Sequence, residues 1–395
     1  MHGTTRVAIV LNGAGRVGRK FIELLDEKSE LIRKLTGVHP VLTAVVTKDA
    51  VLFSKEGLVP RDVFDWLGAR RTGSGGKTGS LKGVILGSGD YESVLDEIGR
   101  SMRGVVVEAT PTDIWTGEPG LSHITKAISH GFSVITLSKG PLVVAFRNLL
   151  SLARQKGVGL RYSGAVAAAL PTVDTAIYSM AGADIYEIEG VLNGTTNYIL
   201  NRMSQGEPYE EALRKAQEMG IAEANPTLDV EGYDSAAKLL IIANTVWGTD
   251  FGLSDIEREG ITGLDGREVQ ALYAAGTPVR LVATARRTCA PRKSSRSTQC
   301  DWPNPGSPNP SDRPCGTGDP PNAGEKSGLV ELSVRPQAVP KGHPFGVLPG
   351  TSKAVKFSSR EMGDVIVSGG ASDVTGAAAS CIKDLIHILE EGWVG

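Results

Sequence analysis

Residues 7–18 constrain the fold more than any other stretch of the chain. An apolar run, Val7-Ala8-Ile9-Val10-Leu11, leads into Gly13-Ala14-Gly15-Arg16-Val17-Gly18, and a helical pattern from Arg19 to Leu25 follows. Strand, glycine-rich turn and helix in that order make the dinucleotide-binding fingerprint. Gly13 permits the tight turn, Gly15 lets a pyrophosphate approach the backbone, and Gly18 lets the helix lie close on the strand. Amides at the helix start, with Arg16 and Val17 beside them, hold the phosphate.

A second strand, Pro40 to Val46, would end over the adenosine ribose of such a ligand, and its tip reads Thr47-Lys48-Asp49. An acidic tip favours NAD through the ribose hydroxyls. Here the hydroxyl of Thr47 and the cation of Lys48 come first, with Lys55 close behind, which tilts the choice toward the 2′-phosphate of NADP. Asp49 would take the acidic role for NAD if the strand ran two residues further.

After a glycine-rich insertion, Gly68 to Gly83, the buried strand Val105 to Ala109 delivers the loop Thr110-Pro111-Thr112. A helix near His123 to His130 and the strand Ser133 to Leu137 bring Ser138-Lys139-Gly140-Pro141 to the same edge, where parallel sheets bind ligands. Lys139 is therefore a candidate site residue, although a lysine there also reads as a solvent-facing side chain. A helix over Leu142 to Gln155 leads to the small-residue turn Gly164 to Pro171, for which close packing is the simplest reading. The strand Tyr186 to Leu192 then opens into Asn193-Gly194-Thr195-Thr196-Asn197-Tyr198, a polar loop entering a helix and a natural grip for an anionic or amide-bearing ligand.

Asp234 and Lys238 stand four residues apart on one expected helix, so an anion and a cation share a face. An exposed pair of this kind contributes well under about 1 kcal/mol and is common. The apolar run Leu239 to Ala243 behind it, and Glu223, Asp229 and Glu231 crowding the loop before it, point instead to a buried helix end at a cleft. An amine held there beside carboxylates suits a carbonyl substrate as proton donor.

From Arg286 to Ser327 the chain is dense in Pro, Ser, Gly, Asn and charge, too poor in apolar residues to offset its ordering entropy. Expected strands at Pro278 to Ala285 and Leu329 to Val334 bracket this segment, which reads as a long hairpin insertion. Cys289, Cys300 and Cys315 fall within it, and their spacing matches no zinc motif; Cys381 belongs to a C-terminal helix. A chain of 395 residues exceeds one core, and a net charge of −2 offers no basic face for nucleic acid. No apolar stretch approaches the roughly 18 residues of a membrane span, and the chain enters its first strand at once, so a soluble cytoplasmic protein is expected.

Taken in order, Gly13 to Gly18, Lys139-Gly140-Pro141, Asn193 to Tyr198, Asp229 to Lys238, Gly342-His343-Pro344-Phe345 and Gly350-Thr351-Ser352 resemble the homoserine dehydrogenases. The likeness spans the chain apart from 286–327. It implies NAD(P)-linked interconversion of L-aspartate 4-semialdehyde and L-homoserine on the path to threonine and methionine. It further implies Lys238 as the proton-transfer residue, with Lys139 as its helper beside the nicotinamide. Glu223 and Asp234 would hold the substrate ammonium with Asp229 nearby, Gly194, Thr195 and Tyr198 would grip the other end, and Thr110 and Pro111 would line the nicotinamide pocket.

The implied fold is α/β: a Rossmann domain over 1–160, an α+β catalytic and dimerisation domain over 161–365, and a segment 366–395 whose helix returns to the nucleotide domain. The resemblance also implies a homodimer formed through the sheet of the second domain, and the chain's end soon after that helix leaves no room for a regulatory domain. One departure concerns a structural monovalent cation. Many relatives place a glutamate where this chain has Ser163, followed by glycines where it has Ala167, Ala168 and Ala169. The carbonyls of Val166 and Ala168 remain as sodium ligands, with weak binding or none expected. A second departure is Gly369-Gly370-Ala371-Ser372-Asp373 in the turn before the last helix, whose amides still point to the cofactor site. Competing readings are an NADP-sensing protein that kept the fold and a related amino-acid semialdehyde reductase; intact Lys139, Glu223, Asp234 and Lys238 argue against the first.

Overall fold

The computed structural model describes residues 5–71, 84–87, 90–287, 330–370 and 373–392. The chain forms two units, one from Met1–Ala169 with Gly370–Gly395 and the other from Leu170–Gly369.

The first unit is a seven-stranded sheet covered on both faces. Its strands are β1 (Thr5–Asn12), β2 (Val38–Val46), β3 (Ala50–Phe53), β4 (Val84–Gly87), β5 (Gly104–Glu108), β6 (Ser133–Thr136) and β7 (Leu160–Arg161), in the order β4-β3-β2-β1-β5-β6-β7. From β2 across to β7 the strands are parallel. β1 reads as an unbroken apolar run because both its faces are buried. Val7, Ile9 and Leu11 meet Phe21, Ile22 and Leu25 of the helix Arg16–Thr36 together with Cys381, Leu385 and Ile388 of the helix Val374–Glu390. Ala8 and Val10 point the other way, to Tyr91, Leu95, Ile98 and Phe132. Each large side chain so buried contributes about 1.5–3 kcal/mol, so a one-residue slip of β1 would forfeit several such terms. The C-terminal helix thus belongs to the Rossmann-type unit, and it opens on Asp373, whose carboxylate caps Gly376 N at 2.8 Å.

Four local features differ from the sequence expectations. The first helix begins at Arg16 and runs to Thr36, because the apolar stripe continues through Ile32 to a left-handed Gly37 that terminates it. Beyond Val46 the chain doubles back, so β3 and β4 are antiparallel additions to the parallel sheet. Gly68 lies within the helix Pro60–Arg71, and the rest of the expected glycine-rich insertion, from residue 72, lies outside the described residues. The small-residue turn contains a short helix, Ser163–Ala167, in keeping with the helix propensity of alanine.

The second unit holds a six-stranded sheet in the order β13-β12-β8-β10-β11-β9. Its strands are β8 (Ile185–Val191), β9 (Glu257–Arg258), β10 (Val279–Arg287), β11 (Val330–Ala338), β12 (Lys353–Ser359) and β13 (Gly363–Gly369). All neighbours are antiparallel except β11 and β9. Ile188, Ala285 and Phe357 are register partners and fully buried. One residue along, on the opposite face, Glu187 accepts from Arg286 Nε at 2.7 Å and Glu189 pairs with Lys356. Alternation of this kind marks a sheet buried on one side only. The helices Gly194–Met203 and Tyr233–Trp247 lie against β10. β10 and β11 pair from Val279 with Ala338 to Arg287 with Val330. Cys289, Cys300 and Cys315, and the 286–327 segment beyond Arg287, lie outside the described residues.

Candidate active site

Gly232, at φ +79°, turns the chain sharply into the helix Tyr233–Trp247. Only glycine takes that conformation without strain. One turn in, Asp234 and Lys238 stack as their spacing predicts, with Lys238 Nζ 2.6 Å from Asp234 Oδ2 and both side chains nearly buried at 12% and 13% exposure. Nζ also donates to the Leu192 carbonyl at the end of β8, at 2.8 Å. An ammonium carries three hydrogens. Two are thereby directed, and the third has no protein partner among the described residues.

Asn193 completes the arrangement. Its Nδ2 donates to Asp229 Oδ1 at 2.6 Å and to Asp234 Oδ2 at 2.8 Å, while its Oδ1 accepts from Thr196 N at 2.9 Å and caps the helix Gly194–Met203. One buried amide therefore fixes two carboxylates and a helix start. Its position immediately before a helix is an N-cap signature, which is the signal by which this residue could have been singled out from sequence.

The other expected substrate residues divide. Gly194 is needed for close approach, since a Cβ there would lie 2.8 Å from the Thr351 carbonyl oxygen. Asn197 Nδ2 ties the same turn down through Gly350 O at 3.0 Å and Ser352 O at 3.1 Å. Thr195 Oγ1 donates to Ile221 O at 3.1 Å, and Tyr198 Oη reaches Met219 Sδ at 3.4 Å, so neither joins the lysine network directly. Glu223 is exposed, and among the described residues its carboxylate makes no bond to that network. Behind the site, Arg280 is buried and donates to the carbonyls of Phe345, Gly346 and Leu348. Burial pushes its guanidinium down to about 10, and it remains charged at neutral pH.

In the first unit the three fingerprint glycines have separate geometries. Gly13 sits at φ +93°, and a Cβ there would come within 2.6 Å of Ala109; one at Gly18 would lie 2.1 Å from Gly13 O. Gly15 has nothing within 4 Å of its Cβ position. A side chain is thus excluded at Gly13 and Gly18 by the protein and at Gly15 only by what would bind there. Arg16 and Val17 open the helix behind it, where no side chain caps the amides and the first turn carries no acid. These residues fit a pyrophosphate.

At the same edge, the loops after β5 and β6 are bonded together. Thr112 Oγ1 lies 2.9 Å from Ser138 Oγ and accepts from Lys139 N at 3.0 Å, and Gly140 packs so closely that a Cβ would meet Asp113 O at 1.9 Å. Thr110, followed by Pro111, is held from beneath. Its amide donates to Glu108 Oε1 at 2.8 Å and its hydroxyl donates to the same oxygen. Glu108 is fully buried and also meets His123 Nδ1 at 2.9 Å and Asn12 Nδ2 at 3.2 Å. Nearby, burial pushes the Tyr91 phenol far up, so it stays protonated. Within the apolar run ending β5, nothing in the sequence distinguished Glu108.

At the tip of β2, Thr47 turns the chain by bonding Ala50 O through both its amide and its hydroxyl, Lys48 is exposed, and Asp49 pairs with Arg70. The turn assigned to a monovalent cation is held by side chains: Ser380 Oγ donates to the Ala168 carbonyl at 2.5 Å, two residues beyond Val166. Ser163 donates to Asp384 through its amide at 3.0 Å and its hydroxyl at 2.8 Å.

A mixed sheet whose parallel strand order reverses at β1, with this glycine turn at its edge, defines a Rossmann-type dinucleotide-binding protein. Residues 171–386 match the homoserine dehydrogenase family model, and residues 13–163 match that of the homoserine dehydrogenase NAD-binding domain. The homoserine dehydrogenase of Methanocaldococcus jannaschii is 29% identical over 381 residues, covering 96% of this chain and 98% of the relative. The NAD(+)-dependent homoserine dehydrogenase of Pseudomonas canavaninivorans is 28% identical over 387 residues, covering 97% and 96%. A crystal structure from Archaeoglobus fulgidus, provisionally described as a homoserine dehydrogenase, superimposes with a TM-score of 0.74 at 29% identity, covering 98% of this chain and all of that one. The chain belongs to the homoserine dehydrogenase family, which are NAD(P)-dependent oxidoreductases. Among the described residues, no helix is long and apolar enough to cross a membrane.

Proposed function

We propose that the chain interconverts L-aspartate 4-semialdehyde and L-homoserine with NADP or NAD, with Lys238 as the proton-transfer residue. The observation that carries this reading is the third hydrogen of Lys238 Nζ, left to a substrate oxygen by an ammonium fixed between Leu192 O and Asp234. A bound nicotinamide would supply the hydride exchange. Lys238 stabilises the alkoxide that develops on aldehyde reduction and protonates it; in the reverse direction it takes that proton back. Asp234, itself held by Asn193, keeps the ammonium aimed. Asp234, Asp229 and the exposed Glu223 supply negative charge for the substrate ammonium, with Gly194, Thr195 and Tyr198 toward its other end. On the cofactor side, Gly13, Gly15, Arg16, Val17 and Gly18 take the pyrophosphate, Thr110 and Pro111 line the nicotinamide pocket, and Lys139 assists there.

NADP is the favoured cofactor. Lys48 is exposed at the tip of β2 while Asp49 is engaged by Arg70, which leaves cationic character where a 2′-phosphate would sit. A homodimer through the six-stranded sheet, a cytoplasmic location and a role in threonine and methionine synthesis complete the reading. Within this reading, 1–160 binds the nucleotide, 161–365 carries catalysis and dimerisation, and 366–395 supports the nucleotide site, its helix within the same compact unit as the first segment.

Reduced-nicotinamide absorbance, followed when L-homoserine meets NADP or NAD, tests the reaction. Turnover that requires the substrate amino group and proceeds at least about tenfold more efficiently with NADP is expected. Equal turnover of an alcohol lacking that amino group would sink the homoserine assignment, and a mass in solution equal to one chain would sink the dimer.

A further inference from the structure

Ala168 is the non-glycine residue that the described chain holds at positive φ, +54°. Alanine does not adopt that region unaided, so the surroundings must impose it. The Ala168 carbonyl accepts from Ser380 Oγ at 2.5 Å, and Ser380 stands one helical turn before Asp384 on the same face of the helix Val374–Glu390. Asp384 is fully buried. Its two oxygens take the Ser163 amide and hydroxyl, and Lys383 Nζ lies 3.5 Å from Oδ1. Two side chains on one helix face, through three hydrogen bonds, therefore pin both ends of the segment Ser163–Ala168.

A bound cation would serve such a turn by gathering several carbonyl oxygens, usually with a carboxylate completing the set. The residues present do not fit that role. The only carboxylate these bonds bring to the turn is filled by three donors, one of them a lysine ammonium that already balances its charge. The Ser380 hydroxyl directs its hydrogen at the carbonyl an ion would need.

We infer that this chain closes the turn after β7 with its own side chains, Ser380 and Asp384 as clamps and Lys383 as charge partner, and is independent of monovalent cations. The inference goes beyond the reaction assigned above and is read without turnover. The protein is dialysed into choline chloride and compared with sodium chloride and potassium chloride at equal ionic strength, following thermal unfolding and cofactor binding. An ion that bound the folded state would raise the unfolding midpoint by several degrees once well above its dissociation constant. The expected result is a midpoint constant to about 1 °C and a cofactor dissociation constant within about twofold across the three salts. A saturable rise in midpoint with sodium or potassium would overturn the inference. Ser380→Ala gives a second reading: an equal drop in midpoint in all three salts is expected. No drop in any salt, or a drop that sodium alone reverses, would show that the hydroxyl is not the clamp.

Discussion

Lys238 Nζ lies 2.6 Å from Asp234 Oδ2, one helical turn back, and the same oxygen accepts Asn193 Nδ2 at 2.8 Å. The carboxylate is thus shared between the residue assigned to move the proton and the amide that keeps the carboxylate in place.

Replacing Lys238 by alanine should lower kcat by about a hundredfold to ten-thousandfold, the usual worth of a positioned acid or base. Lys238→Arg should be nearly as damaged, because a guanidinium keeps the charge but does not release a proton near neutral pH. Cofactor affinity, measured by fluorescence titration, should stay within about twofold in both. A Lys238→Arg enzyme with near-normal kcat would remove proton transfer from this residue.

Asn193→Ala should lose about 1 kcal/mol of stability through the missing helix cap. With Asp229 and Asp234 no longer fixed, kcat should fall about tenfold to a hundredfold. Asn193→Asp restores the cap but sets a third carboxylate beside the other two. It should recover the melting temperature and not kcat, and recovery of both would reduce Asn193 to a cap.

Gly15→Ala and Gly18→Ala should separate binding from folding. A methyl at Gly15 meets open space, so the fold should be unchanged while cofactor affinity falls about tenfold or more. A methyl at Gly18 would lie 2.1 Å from backbone, and about 1–3 kcal/mol of stability should be lost whether or not cofactor is present. Calorimetry and cofactor titration on the two variants check both halves.

Glu207 accepts from Lys215 Nζ and Arg202 Nε, each at 2.5 Å. Its bond to Lys215 is the largest influence, with Arg202 adding to it, and together they hold the carboxyl below its ordinary value of 4.5. A depressed acid stabilises the fold fully above its unfolded value and loses that contribution as pH falls through the folded value. The melting temperature of the wild type should therefore exceed that of Glu207→Gln at neutral pH, and the gap should close below 4.5. A gap that persists in acid would assign the effect to packing.

Features set by local spacing were legible in the chain. The fingerprint glycines and the four-residue step from Asp234 to Lys238 are written within one or two helical turns. What escaped detection depends on partners far along the chain: Asn193 meets Asp229 across 36 positions, Glu108 meets Asn12 across 96, and Ser163 meets Asp384 across 221. Arg280 was hidden for another reason, since a cation in a strand reads as solvent-facing, yet four backbone carbonyls make an interior position tolerable. The antiparallel return of β3 after Thr47 likewise rests on a tight turn that no glycine or proline marks.

Arg287 and Val330 face each other as the last rung of the β10–β11 ladder, so the chain between them leaves and re-enters the sheet at one point. Loop-closure entropy grows only with the logarithm of length, so a connection of roughly forty residues at such a point costs only about 2 kcal/mol more than one of four. The end of this ladder is therefore a position where insertions of very different length can accumulate with little thermodynamic selection against them, and where a foreign domain could be grafted with the ladder left in register.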